Sequence, residues 1–134
     1  RASFGQVFVK RGLVPDWGGS WFLPRLVGTS KACELIWTGE MIDAKEAERL
    51  GIVSRVVPHE ELEKATKELA LKIAKVAPLA VRMSKLAIFK GLDIDLATEL
   101  EFEAYAQALC ILSEDHREGV QAFLEKREPV FKGR

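Results

Sequence analysis

The sequence predicts an α/β fold, with strands confined to residues 1–57 and helices alone in residues 58–134. Three observations carry this reading. The run Gly5-Gln6-Val7-Phe8-Val9 is short, β-branched and aromatic, and it precedes a glycine-rich turn and a helical pattern. A second apolar run, residues 52–57, follows Gly51. After Pro58 the apolar positions recur every three or four residues, the period of an amphipathic helix. At 134 residues, 48% hydrophobic and 30% charged, the chain is long and apolar enough to bury a core.

Taken in order, residues 5–9 read as a strand that ends at the Lys10-Arg11-Gly12 turn. A helix follows from about Gly18–Ser20 to Gly28, with Pro24 tolerable only in its first turn. Thr29-Ser30 caps a second helix that stops at Gly39. Asp43-Ala44-Lys45-Glu46 has the spacing of a capping box, opening a short helix that ends at Gly51. Residues 52–57 read as a strand interrupted at Ser54-Arg55. Two short strands cannot close a sheet, so residues 1–57 read as the tail of a larger α/β domain.

Leu62, Ala65, Leu69, Ile73 and Val76 share one face of the next helix, which Pro78 breaks. Leu79, Met83, Leu86 and Lys90 mark the following one, ending at Gly91. Asp93 or Asp95 caps a longer helix that is apolar on several sides, a surface suited to burial against another subunit. Asp115-His116-Arg117-Glu118 has capping-box spacing and opens the last helix.

Composition excludes several function classes. Twenty basic and twenty acidic residues cancel, leaving no electrostatic footprint for nucleic acid or an anionic membrane. Cys33 and Cys110 sit far apart in apolar helical patterns and read as buried hydrophobes in a reducing, cytoplasmic compartment. His59 and His116 lack the spacing of a metal pair, and no metal site is expected. No stretch has the length and hydropathy of a membrane span. The chain opens at Arg1 inside a patterned segment, so a preceding part is expected.

The candidate site lies in Gly12-Leu13-Val14-Pro15-Asp16-Trp17-Gly18-Gly19-Ser20. Pro15 fixes a dihedral before Asp16, and two glycines relieve crowding after it. Phe8, Trp17, Trp21 and Phe22 are apolar neighbours that would keep water from the carboxylate. An acid so placed moves protons. Pro-Asp-x-Gly is also ordinary turn chemistry, and spacing alone leaves both readings open.

Phe4-Gly5-Gln6, the segment from Gly12 to Ser20, Leu23-Pro24-Arg25-Leu26-Val27-Gly28, Leu35-Ile36-Trp37-Thr38-Gly39, Gly51-Ile52-Val53-Ser54-Arg55-Val56-Val57 and Glu118-Gly119-Val120-Gln121-Ala122-Phe123-Leu124-Glu125-Lys126-Arg127 together resemble the crotonase family of enoyl-CoA hydratases and isomerases. The resemblance spans the chain in the family's order. It implies roughly the C-terminal half of a family subunit, with residues 1–57 ending a spiral of ββα turns and residues 58–134 forming a helical trimerisation region. It further implies an acyl-CoA thioester substrate, coenzyme A being part of that substrate with no separate cofactor, and a homo-trimer or hexamer. The oxyanion-hole amides and most coenzyme A contacts belong to the family's other half, so this segment alone is expected to be inactive.

Typical hydratases carry a second glutamate in a Phe-Gly-Gln-Pro-Glu pattern, where this chain has Phe8. One retained acid suits a double-bond shift better than hydration, because a single base can remove and return a proton. The pattern around Pro15-Asp16 resembles the isomerase branch, including the phenylacetate-pathway enzymes, in which the aspartate matched by Asp16 is the acid/base. The lysine matched by Lys126, near Phe123, reaches a neighbouring subunit's coenzyme A; its plain alternative is a solvated lysine favoured by the helix dipole. Trp17 and Trp21 line the acyl pocket or simply pack the core. A hydratase with atypical acid/base residues and a non-catalytic assembly module are the alternatives.

Overall fold

Ser3–Phe4 (β1) pairs antiparallel with Ile42–Asp43 (β2), Ser3 opposite Asp43 and Phe4 opposite Ile42. This computed structural model describes all 134 residues in two compact units, Arg1–Leu62 and Glu63–Arg134. The remaining elements are α1 (Gly19–Val27), α2 (Thr29–Thr38), α3 (Ala44–Arg49), α4 (Leu62–Ala74), α5 (Pro78–Lys90), α6 (Leu96–Ile111) and α7 (Glu114–Glu125).

Neither expected strand forms. Val7–Arg11 is a 3-10 turn closed by Gly12, whose left-handed φ of 69° lets its amide reach the Val9 carbonyl at 3.1 Å. A lone strand leaves a ladder of unpaired groups, whereas the turn satisfies some of them locally. Residues 52–57 are tied back onto α3 instead. Ile52 and Val53 both donate to the Ala47 carbonyl, at 2.9 and 3.3 Å, and the Val56 amide donates to the Glu48 carboxylate at 2.8 Å.

The first unit's core is small. Leu23 of α1 packs with Ala32 and Leu35 of α2, flanked by Val27, Ile36, Ile42, Leu50 and Ile52. Pro24 falls in the second turn of α1, not the first, because it is the sixth residue of a helix that starts at Gly19. It forfeits a bond to the carbonyl of Ser20, an exposed residue. The cap of α2 is Gly28 at φ 78°; neither Thr29 nor Ser30 caps it through a side chain. Asp43 does cap α3, accepting from the Glu46 amide at 2.8 Å. Glu46 does not complete the box, since its carboxylate takes the Arg49 guanidinium at 2.6 and 2.7 Å.

In the second unit α4 follows a 3-10 turn, His59–Glu61, that ends the first, and Pro78 stands at the start of α5. Asp95, rather than Asp93, caps α6 by accepting from the Thr98 amide at 3.1 Å and its hydroxyl at 2.7 Å. The Lys90 ammonium lies 4.8 Å from the Phe102 ring centroid, linking α5 to α6. Helix α6 leaves Leu96, Leu100, Tyr105 and Leu109 exposed, and none of α4, α5 or α6 has a fully buried residue.

The start of α7 departs from its expected cap. Ser113 caps it, accepting from the His116 amide at 3.0 Å. Asp115 is instead 1% exposed and clamps the C-terminal tail, accepting from the Lys132 and Gly133 amides at 2.6 and 2.8 Å. One turn on, Glu118 takes the Arg127 guanidinium at 2.6 and 3.0 Å and the Val130 amide at 2.8 Å. Both side chains of the apparent capping box are thus committed to a strap over α7.

Arg127 first, and the Val130 amide second, hold the Glu118 carboxyl at about 2, below its ordinary 4.5. A lowered carboxyl stabilises the fold above its unfolded pKa, and that contribution disappears as pH falls through the folded value. The strap should therefore loosen between about pH 4.5 and pH 2. Hydrogen exchange of the Val130 amide, corrected for intrinsic rate, should show protection falling across that window and flat between about pH 6 and 8. Unchanged protection down to pH 2 contradicts the clamp.

Candidate active site

The turn that presents Asp16 is closed by its own backbone. The Asp16 carbonyl accepts from the Gly19 amide at 2.9 Å, and the two residues between, Trp17 and Gly18, have φ of 53° and 78°. Positive φ at both central positions is the signature of a type I′ turn. Each glycine has a separate reason to be there. A Cβ on Gly18 would lie 2.8 Å from the Phe22 ring, besides facing an unfavourable φ. A Cβ on Gly19 would lie 2.9 Å from the Gln6 side-chain oxygen, which is buried with no hydrogen-bond partner. Trp17 enjoys no such freedom, and a bulky residue in the left-handed region is held at a cost of about 1–2 kcal/mol.

Gly18 is the cap residue of α1, and its carbonyl takes the Trp21 and Phe22 amides at 2.9 and 2.8 Å. No side chain caps this helix. The Asp16 carboxylate is thus left for another use, unlike that of a capping aspartate. The expected shielding from water is absent within this chain. Asp16 is exposed and Trp17 is 95% exposed, because the left-handed turn sets both on the outer side of α1's start.

Phe8, Asp16 and Trp17 nonetheless line one cavity of about 370 Å³, together with Phe22, Leu26 and Ile52. Asp16 is its one charged side chain and Gln6 its other polar one. Trp21 is not in the lining. Its ring meets Phe22 edge-on, centroids 4.8 Å apart at 81°, and the Arg25 guanidinium covers its other contact at 3.7 Å. Trp21 therefore supports a wall and does not form one. Sequence reasoning missed Gln6, Leu23, Leu26 and Ile52. Leu26 follows Phe22 by four residues on the same helix face, a readable signal. Ile52 arrives only through the fold-back onto α3, which no local pattern announces.

Phe123 and Lys126 belong to the second unit. Phe123 is 83% exposed and lines a separate cavity of about 460 Å³ with Ile111, His116, Val120 and Phe131. Lys126 ends α7 in the left-handed region, φ 54°, and is exposed. No three His, Cys, Asp or Glu side chains cluster as metal ligands, and both cysteines are free. No helix is long and apolar enough to cross a membrane.

All 134 residues match the family model described as enoyl-CoA hydratase/isomerase. The chain is 44% identical over 130 residues to the crotonyl-CoA hydratase of Syntrophomonas wolfei, covering 97% of this chain and 50% of that protein. It is 45% identical over 127 residues to the short-chain-enoyl-CoA hydratase of Clostridium acetobutylicum, covering 95% and 49%. The crystal structure of an enoyl-CoA hydratase from Bacillus anthracis superposes with a TM-score of 0.97 at 45% identity, over 99% of this chain and 52% of that one. The chain thus spans about half the length of the curated relatives it matches.

If the Trp17 ring is kept at a strained position for function, a residue at ease in that conformation should relieve the strain. Trp17→Asn should leave stability unchanged or raise it by up to about 1 kcal/mol, read as the denaturation midpoint. A loss of more than about 1 kcal/mol would show that Trp17 is structural instead.

Proposed function

The chain belongs to the enoyl-CoA hydratase/isomerase family, and from that premise we propose that Asp16 shuttles a proton on an enoyl thioester of coenzyme A. The observation that carries the proposal is the cavity itself. It sets one unspent carboxylate among Phe8, Trp17, Phe22, Leu26 and Ile52, an apolar lining suited to an acyl chain. Asp16 removes a proton at one carbon of the acyl chain and returns it at another, shifting the double bond by way of a thioester enolate. Amides outside these residues hold the enolate oxygen, as the family's pattern implies.

Phe8 supports a double-bond shift over hydration, since it stands where the typical hydratase pattern carries a second glutamate, and the cavity holds no carboxylate besides Asp16. The second reading is hydration, favoured by the names of the relatives, which are a crotonyl-CoA hydratase and a short-chain-enoyl-CoA hydratase. Kinship with the phenylacetate-pathway isomerases rests on the turn pattern alone. Trp21 serves the site through Phe22, and Lys126, beside Phe123, is the proposed contact to a coenzyme A phosphate of a neighbouring subunit in a trimer or hexamer. A cytoplasmic setting accords with the two unpaired cysteines.

The test is to assay the whole protein, with and without Asp16→Asn, on a 2-enoyl-CoA in water and on a 3-enoyl-CoA. Isomerisation should fall by about 10²- to 10⁴-fold with the fold intact. Hydration that survives the substitution at the original rate contradicts the proposal. Hydration abolished by it, with no isomerisation in either protein, establishes the second reading.

A further inference from the structure

We propose that Glu118 is a positioning residue that, through Arg127, holds Lys126 in the one conformation that presents its ammonium to a phosphate of the substrate. The inference rests on the reading of Lys126 as the coenzyme A contact and adds the device that makes it one. Two adjacent cations end α7, and the structure treats them oppositely. Arg127 is spent within the chain. Its Nη1 and Nη2 donate to the two Glu118 oxygens at 2.6 and 3.0 Å, and its Nε donates to Glu125 at 2.6 Å. A bidentate fork of this kind fixes orientation as well as charge. The Arg127 amide is also fixed, donating to the Ala122 carbonyl at 3.0 Å.

Lys126 sits between these anchors and α7. Its φ of 54° and ψ of 39° are left-handed, the usual ending of a helix, closed here by the Arg127 amide donating to the Ala122 carbonyl at 3.0 Å. The end of α7 closes the turn before it, and the Glu118–Arg127 fork fixes the residue whose amide completes that turn. Glu118 also accepts from the Val130 amide at 2.8 Å, so the chain beyond Arg127 cannot swing to relax the turn. Lys126 itself takes part in none of the chain's ion pairs and is exposed. One cation is thus the anchor and the other is the contact, as suits a compact ammonium facing a phosphate. Without the Glu118 charge Arg127 loses its fork, with only Glu125 left to hold its side chain, and the turn that carries Lys126 loosens.

The experiment is a double-mutant cycle in the whole protein, measuring kcat and KM for an enoyl thioester of coenzyme A and for the same acyl thioester of pantetheine, which lacks the nucleotide phosphates. Lys126→Ala should raise KM for the coenzyme A ester about tenfold. Glu118→Gln should raise it about fivefold, and the double variant should be no worse than Lys126→Ala alone. Glu118→Gln should keep kcat, and its rise in KM should be confined to the coenzyme A ester and absent with the pantetheine ester. If Glu118→Gln does not fold, Arg127→Lys carries the same cycle, since it keeps the charge and loses the fork. Additive effects, or equal rises in KM for both esters, overturn the positioning role while leaving Lys126 as the contact. A normal KM for the coenzyme A ester in Lys126→Ala removes the contact itself, and the inference with it.

Discussion

The hydrogen bond from the Gly19 amide to the Asp16 carbonyl, 2.9 Å long, is the constraint on which the first unit's candidate site depends. It closes a turn whose two central residues are both left-handed, and it delivers the chain into α1 with Asp16 just outside the helix. Because Gly18 caps the helix, the carboxylate is not consumed by it. Because α1 starts there, Phe22 and Leu26 line the cavity that holds the carboxylate, and Leu23 reaches both that cavity and the core. Holding Trp17 left-handed costs about 1–2 kcal/mol. Burying Leu23 and Leu35 contributes about 1.5–3 kcal/mol each, so the core outweighs the strain and fixes the turn.

Much of the helical skeleton was legible because its signals are local. The Asp43 cap, the stops at Gly39 and Gly91, and the break at Pro78 each depend on residues a few positions apart. What could not be read depends on partners far along the chain. Residues 52–57 have strand composition, yet their amides are taken by the Ala47 carbonyl and the Glu48 carboxylate of α3. Residues 5–9 have it too, but only Ser3–Phe4 finds a partner strand, and β1 pairs with β2. Asp115 and Glu118 show the same ambiguity from the other side. Their spacing imitates a capping box, while a serine two positions earlier does the capping and a tail 12 to 18 residues away claims both carboxylates.

The candidate site was legible to a comparable depth. Phe8, Asp16 and Trp17 do share a cavity, and the turn glycines are required by contacts as well as by φ. Trp21 differs by one layer, standing behind Phe22, because its side of the helix faces Arg25. The shielding of Asp16 was not legible, since whatever covers an exposed Trp17 is not among its sequence neighbours. The exposed apolar faces of α6 and α7 pose the same question in the second unit. Phe8 bears most on the proposed reaction, because it leaves Asp16 the one carboxylate in the cavity.

Exchange of substrate hydrogen tests the role of Asp16 more directly than turnover does. The whole protein is incubated in D₂O with a 3-enoyl-CoA, and the thioester recovered at early times is analysed by mass spectrometry for deuterium on the acyl carbons. With Asp16 in place the account predicts that deuterium enters the acyl chain during isomerisation, to the extent that the proton held on Asp16 exchanges with D₂O before its return, and that Asp16→Asn blocks entry while the protein still binds the thioester. Deuterium incorporation at the original rate in the Asp16→Asn protein would contradict it.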